Sequence, residues 1–261
     1  AYIRCAPWNL RVLGALPPCT GLLCMPSRSP LFLLLRRALG VAFLAWLLAG
    51  TAWGQAGNAV VTTEHARTEL LAHAPDGIAP GRTVWVGLRI EHQPHWHTYW
   101  RNAGDSGLPT ELQWTLPPGV EAGEIAWPTP KKIPVGPLVN YGYEGTLLLP
   151  VPLTITPAFQ PALLARELTV KLRASWLICR TECIPEEGAY TLRIPLQSST
   201  ALHGTAFDAA RQAEPRALSA ASSHLTIEGQ ALRLTVAGLP ARLQGRPLEA
   251  FAETTEVVNP S

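Results

Sequence analysis

Acidic residues are absent from the first 56 positions of this chain, and charged residues are scarce throughout it, at 15%. The same 56 positions hold five of the 21 Lys and Arg residues, so the remaining chain has 16 basic and 19 acidic residues. The formal charge of +2 therefore originates in the N-terminal segment. Proteins that bind nucleic acid concentrate basic residues on one surface. This charge distribution excludes a nucleic-acid partner.

Long helices are also excluded, because the chain contains 25 Pro and 21 Gly among its 261 residues. Proline removes a backbone donor, and both residue types interrupt regular helices. Segments rich in branched and aromatic residues, typical of strands, occur at residues 83–90, 145–155 and 168–178. About eight such segments separated by turns predict an all-β fold with a β-sandwich at residues 57–200.

The composition changes after residue 200, where Ala and Ser become frequent. One helix is predicted at residues 206–213, and a hairpin at residues 224–239 turns around residues 228–230. We interpret residues 201–261 as a linker and the start of a second small β-rich domain. Residues 1–56 are predicted to be an N-terminal extension and a signal peptide.

The signal peptide is predicted from residues 36–56. Arg36 and Arg37 precede an apolar run of about 13 residues at 38–50, and small residues follow it at 51–56. This run is shorter than the ~20 residues that a membrane-spanning helix requires. Export with cleavage is therefore favoured, and an uncleaved anchor is the alternative.

Cysteine is absent between residues 25 and 178 and after residue 183. Cys5, Cys19 and Cys24 lie upstream of the apolar run and would be removed with the signal peptide. Cys179 and Cys183 then remain as a lone pair, which should form a disulfide in an oxidising compartment. Closing so small a loop stabilises a fold by only ~2 kcal/mol. The spacing favours a switchable redox bond, with a structural disulfide as the alternative.

A metal site is a competing interpretation of the cysteine pair. His92, His95 and His97 form a cluster, and the alternation of residues 95–100 places His95 and His97 on one strand face. Two thiolates and two imidazoles suit Zn²⁺ or Cu⁺. The three-residue spacing differs from that of zinc knuckles, however, and a second cysteine pair is absent. We therefore assign no metal and no cofactor, and keep a non-catalytic, copper-binding module as the alternative function.

Five strings occur in one order along the chain, at residues 96–102, 104–109, 127–128, 141–145 and 176–187. Together they resemble the N-terminal periplasmic domain of the thiol:disulfide interchange protein DsbD family, and most of all its ScsB-like branch, which is linked to copper tolerance.

The resemblance implies an immunoglobulin-like β-sandwich in the periplasm. It also implies that Cys179 and Cys183 exchange disulfides with periplasmic thioredoxin-like proteins, as part of a protein-disulfide reductase. Electrons would reach the pair through a membrane domain and a C-terminal thioredoxin-like domain of the full-length protein, which would attach the domain to the inner membrane.

Aromatic residues are expected around the cysteine pair. The resemblance implies this role for Tyr99 and Tyr141, and Trp176 is expected to shield the pair because it lies three residues before Cys179. Other family members carry an aromatic cap on a loop over the disulfide, whereas residues 138–140 here contain no aromatic residue. Tyr141 or Tyr143 is the expected substitute.

Overall fold

The protein is described by a computed structural model that covers residues 58–229 and 231–260. The predicted signal peptide, with Cys5, Cys19 and Cys24, lies outside the described residues. The strands of the described part are β1 (Val60–Thr62), β2 (Ala66–His73), β3 (Thr83–His92), β4 (His97–Gly104), β5 (Glu111–Thr115), β6 (Val120–Ala122), β7 (Lys131–Val135), β8 (Leu138–Glu144), β9 (Thr146–Ile155), β10 (Glu167–Cys179), β11 (Cys183–Pro195), β12 (Ser222–Glu228) and β13 (Ala231–Ala237).

Two antiparallel sheets form a sandwich, which confirms the all-β prediction. One sheet has the strand order β1-β2-β3-β9-β6. The other has the order β11-β10-β4-β8-β7, and β5 pairs with residues 171–175 in the middle of β10. Core clusters join side chains from both sheets, for example Leu88 and Leu149 from the first sheet with Leu172 and Trp176 from the second. The two sheets therefore bury one face each against the other.

Strand β10 shows how the sequence determines which face each residue occupies. Its even-numbered residues from Leu168 to Ile178 are all buried in the core, and most odd-numbered residues are exposed. Side chains of a strand alternate between the two faces of its sheet. Cys179 ends the strand at an odd-numbered position and therefore belongs to the outer face, although it too is buried.

Residues 201–260 contain one α-helix, α1 (Gly204–Gln212), the hairpin β12–β13 and a 3-10 helix at Ala241–Leu243. The predicted helix and hairpin are confirmed, although the helix begins two residues and ends one residue earlier than predicted, and the hairpin begins and ends two residues earlier. Phe207 of α1 is fully buried against the sandwich. The domain boundary at residue 200 stays a prediction. None of the described helices is long and apolar enough to cross a membrane.

Candidate redox site

The site is centred on a disulfide between the last residue of β10 and the first residue of β11. Cys179 and Cys183 are register partners across this hairpin, with their Cα atoms 4.2 Å apart, and the S–S bond is 2.08 Å long. The turn is closed by a hydrogen bond of 3.1 Å from the Arg180 amide to the Glu182 carbonyl. The strand pairing therefore places both sulfurs on the outer face of the sheet, at one end of the sandwich.

The two cysteines differ in their accessibility. Cys179 is 2% exposed, whereas Cys183 is exposed to solvent. A thiolate approaching from another protein needs access to the sulfur that it attacks. Cys183 Sγ is therefore the sulfur of the disulfide that an approaching thiolate can reach.

Tyr99 is the predicted aromatic that the structure brings to the disulfide. Its hydroxyl lies 3.5 Å from the Cys183 Sγ, and its ring packs with Cys179 and Ala103. Burial raises the pKa of the Tyr99 phenol above 10.0. The phenol is therefore neutral at pH 7 and can donate a hydrogen bond to a sulfur that becomes a thiolate.

A loop at residues 104–109 holds the Tyr99 ring in this position. The backbone of Gly107 lies directly against the ring, since a Cβ built on this glycine would be only 2.3 Å from the ring. Residues of β8 anchor the loop: the Val139 amide donates to Asp105 Oδ2 at 2.7 Å, and Ser106 donates to the buried Asn140 Oδ1 through both its amide and its hydroxyl. Asn140 belongs to the segment at residues 138–140 that lacks an aromatic cap, and its side chain anchors the loop at residues 104–109.

The other predicted aromatics lie on the core side of the same sheet. Tyr141, Tyr143 and Trp176 all belong to the cluster between the two sheets. The Tyr143 hydroxyl donates to the Pro128 carbonyl at 2.6 Å, and burial raises its pKa. Strand alternation explains the difference between these tyrosines. Tyr99 faces outward and pairs with Gly142, whereas Tyr143 faces inward and pairs with Thr98.

The histidines of the metal hypothesis are not arranged as predicted. His95 is exposed in a turn with a φ of 69° and lies outside β4, so the prediction that it shares a strand face with His97 is wrong. The turn at residues 93–96, which includes Pro94, delays the start of β4 to His97. Among the described residues, no group of three or more His, Cys, Asp and Glu side chains is arranged to hold a metal ion. The copper-binding alternative gains no support from this geometry.

His97 itself lies at the disulfide. It is the register partner of Cys179 on β4, its ring is 2% exposed, and its ring centre lies 5.2 Å from that of Tyr99. The sequence indicated His97 only as a candidate metal ligand, because its pairing with Cys179 joins residues that are far apart along the chain.

A polar cluster lies behind the hairpin at the same end of the sandwich. The Glu186 carboxylate, with its side chain 7% exposed, accepts hydrogen bonds from Thr63, His65 and Trp176. The His65 ring lies against the Trp96 ring, and the Arg180 guanidinium lies 5.2 Å from the centre of the same ring. This cluster ties the loop between β1 and β2 to the cysteine hairpin, and sequence reasoning missed it.

A shallow groove of about 220 Å³ lies on the same hairpin as the disulfide. Leu177 and Pro185, which occupy the next outward-facing positions of β10 and β11 after the two cysteines, line it together with Leu108 and Pro109. Glu111, Ser175 and Glu186 add polar groups to the lining. Leu108 is 65% exposed, so the groove presents apolar surface two residues along the strands from the disulfide.

The fold and the site together define a class: a β-sandwich that carries an accessible disulfide at one end of a hairpin. Residues 68–195 match the family model described as thiol:disulfide interchange protein DsbD, N-terminal, and this part of the chain belongs to that family. The family consists of thiol–disulfide exchange domains, whose redox partners are in general thioredoxin-like.

Two solved structures are similar. The N-terminal periplasmic domain of ScsB from Proteus mirabilis is 21% identical with a TM-score of 0.51, and the match covers 69% of this chain and 68% of that one. It shares the fold. The Neisseria meningitidis DsbD N-terminal domain in the reduced form is 13% identical with a TM-score of 0.28, over 52% of this chain and 86% of that one. A comparison with curated proteins found no match.

Proposed function

We propose that this domain receives reducing equivalents from a membrane electron-transfer partner and passes them to periplasmic disulfide proteins through Cys179 and Cys183. The unequal exposure of the two bonded cysteines is the observation that supports this function. A buried cysteine next to an exposed one provides both an attacking sulfur and a resolving sulfur.

The exchange begins from the reduced pair. The Cys183 thiolate attacks a disulfide sulfur of the partner and forms a mixed disulfide, and the partner's other sulfur leaves as a thiolate that takes up a proton. Cys179 then loses its proton and attacks Cys183 Sγ. The Cys179–Cys183 disulfide forms, the second partner sulfur leaves as a thiolate, and two electrons have moved to the partner.

The pair is reduced again by the reverse sequence. A thiolate of a thioredoxin-like domain attacks Cys183 Sγ, and Cys179 leaves as the thiolate. In this proposal the electron source is a C-terminal thioredoxin-like domain supplied by a membrane domain of the full-length protein. The signal peptide predicted at the N-terminus would deliver the sandwich to the periplasm, where relatives with this fold are located.

We also propose that the partner's polypeptide binds in the groove on the cysteine hairpin. The groove's apolar residues include Leu108, Leu177 and Pro185, and the last two lie two residues along their strands from Cys179 and Cys183. A thioredoxin-like partner must bring its own cysteine to Cys183, and the exposed Leu108 offers apolar surface next to that contact.

The test is a comparison of two single variants in the full chain, with Cys5, Cys19 and Cys24 replaced by Ser. We expect Cys179→Ser to accumulate a mixed disulfide with an oxidised periplasmic thioredoxin-like protein, because exposed Cys183 can attack and nothing resolves the product. Cys183→Ser, with only the buried thiol, should accumulate at least about tenfold less. Non-reducing gels and mass spectrometry measure both.

Equal trapping by the two variants, or trapping by neither, would contradict the assigned roles. The alternative of a structural disulfide is tested by equilibrating the same Cys-replaced chain with glutathione buffers. An exchange domain should have a reduction potential above about −300 mV, whereas structural disulfides in exported proteins lie below that value.

A further inference from the structure

The buried sulfur poses a chemical problem that the exchange reaction must solve. Cys179 has to lose a proton before it can attack Cys183 Sγ, yet it is 2% exposed. Burial in apolar surroundings raises the pKa of a thiol, because it disfavours the charged thiolate. Cys179 packs with Tyr99 and Ala103. Tyr99 is a neutral phenol, so it can stabilise a thiolate but cannot remove the proton.

His97 has the position that a proton acceptor for Cys179 requires. The two residues are direct register partners in the antiparallel pairing of β4 with β10. Side chains of directly opposed residues project from the same face, with Cβ atoms about 4.5–5.5 Å apart. The imidazole and the sulfur are therefore adjacent on the outer face of the sheet.

The His97 ring also has an unused hydrogen-bonding atom. Its Nε2 is buried and has no hydrogen-bond partner among the described residues of the oxidised protein. A buried polar atom without a partner is costly and calls for an explanation. Reduction of the disulfide creates a thiol at the opposed position, which would supply the missing partner.

The groups around His97 keep its ring neutral. Desolvation lowers the pKa of His97 below 6.5, and the exposed Glu144, its register partner on β8, opposes that shift. His92 of β3 lies near enough to repel a charge on His97, and its own pKa is also lowered, chiefly by desolvation. Tyr99 on the same strand is neutral, and the two cysteines occupy β10 and β11. At pH 7 the ring can therefore accept a proton.

We infer that His97 is the general base that takes the proton from the Cys179 thiol during resolution of the mixed disulfide. The inference rests on the proposed exchange function. In the mixed-disulfide state the imidazole accepts the Cys179 proton, and the resulting thiolate attacks Cys183 Sγ. The partner's sulfur leaves as a thiolate, and the imidazolium gives up its proton to that thiolate or to solvent. In the reverse direction the imidazolium protonates the Cys179 thiolate as it leaves.

The two steps can be observed separately with the reduced, full-length chain in which Cys5, Cys19 and Cys24 are replaced by Ser. Excess dithiobis(nitrobenzoate) reacts first at the exposed Cys183 and releases one thionitrobenzoate. Attack by Cys179 on the mixed disulfide releases the second. We expect His97→Gln to slow the second phase at least about tenfold at pH 7 and to shift its pH profile to higher pH, because a general base contributes this much or more. The first phase should change less than about twofold.

His95→Asn is the matched control, because His95 is exposed and asparagine tolerates its left-handed backbone. This variant should keep both phases. The inference would be overturned if His97→Gln left the pH profile of the second phase unshifted, whether the rate of that phase is unchanged or is reduced equally at every pH. If wild-type protein shows no second phase at all, the exchange function itself fails.

A measurement on the wild-type side chain guards against a variant that does not fold. The His97 ring titration, followed by NMR in the oxidised and reduced chain, should move to lower pKa on reduction, because a Cys179 thiol that donates to Nε2 favours the neutral imidazole. An identical titration in both redox states would contradict the inference.

Discussion

The Glu186 carboxylate lies on β11 three residues after the exposed Cys183, and its side chain is only 7% exposed. Thr63 Oγ1 donates to it at 2.6 Å, the His65 Nδ1 lies 2.9 Å away, and Trp176 Nε1 donates at 3.2 Å. A buried carboxylate is tolerated only where such donors replace water. At the residue scale, this group fixes the root of the hairpin whose tip carries the disulfide.

Replacement of this carboxylate should destabilise the fold much more than replacement of its exposed neighbour. Glu186→Ala leaves buried donors without an acceptor, and we expect the free energy of unfolding to fall by about 3 kcal/mol. Glu187→Ala, one residue further along β11 and exposed, should change it by less than about 0.5 kcal/mol. Urea unfolding followed by tryptophan fluorescence measures both. Similar small losses would show that the network contributes little.

The residues of the site differ in how far the sequence could predict them. Cys179 and Cys183 stand out because they are the lone pair downstream of residue 24. Tyr99 was predicted from the family resemblance, and strand alternation explains its outward orientation. His97 was predicted only as a candidate metal ligand, and the buried network of Glu186 was not predicted, because these positions depend on strand pairings that a local pattern does not contain.

At the scale of elements, the loop at residues 104–109 positions the Tyr99 ring, whose hydroxyl lies 3.5 Å from the exposed sulfur. Gly107 has a φ of 109° and its Cα lies against the Tyr99 ring. Both the backbone conformation and the close approach require glycine there. The loop is therefore part of the redox site, although it carries no group that reacts.

Gly107→Ala should displace Tyr99 from Cys183. The added methyl group has no space beside the ring, so we expect a loss of about 3 kcal/mol in the free energy of unfolding from strain and repacking. Cys179, which Tyr99 helps to cover, should then react faster with iodoacetamide in the reduced chain with Cys5, Cys19 and Cys24 replaced by Ser.

Gly136→Ala provides the control for this backbone effect. Gly136 also has a positive φ, of 59°, but no atom lies within 4 Å of an added Cβ. It should lose only about 1 kcal/mol and leave the reactivity of Cys179 unchanged. Equal effects of the two substitutions would show that φ alone, rather than contact with Tyr99, accounts for the result.

Element boundaries illustrate what local sequence could not supply. The strand predicted at residues 83–90 extends to His92, because Ala66 and Arg67 of β2 continue the pairing beyond Ile90. Strand β4 begins two residues later than its alternation indicated, because His95 adopts a left-handed conformation in the preceding turn. Both differences arise from pairing and turn geometry, whereas the strands themselves were predictable from composition and alternation.

At the scale of the whole molecule, the segment after residue 200 is attached to the sandwich by aromatic side chains. Phe207 of α1 is fully buried with Leu71 and Leu148 as neighbours. Gly87 admits this ring, since a Cβ there would lie 3.2 Å from Phe207 Cε1. Near the other end of the segment, Phe251 lies 5.0 Å from Tyr141, measured between ring centres. These contacts suit a segment that stabilises the sandwich it follows.

Removal of the Phe207 ring should therefore weaken the sandwich itself. Phe207→Ala opens a cavity against β2 and β9, and we expect the free energy of unfolding to fall by about 3–5 kcal/mol. Leu202→Ala is the control, because Leu202 is 88% exposed and its loss should cost less than about 0.5 kcal/mol.

Unfolding of the sandwich is followed by tryptophan fluorescence, and unfolding of the disulfide region is followed by the reactivity of Cys179 in the reduced chain. If residues 57–200 are stable independently of the segment that follows, both probes will report the same transition in Phe207→Ala as in the unmodified chain. A common shift of both probes would instead mean that the redox site depends on a helix more than 20 residues beyond the cysteine hairpin.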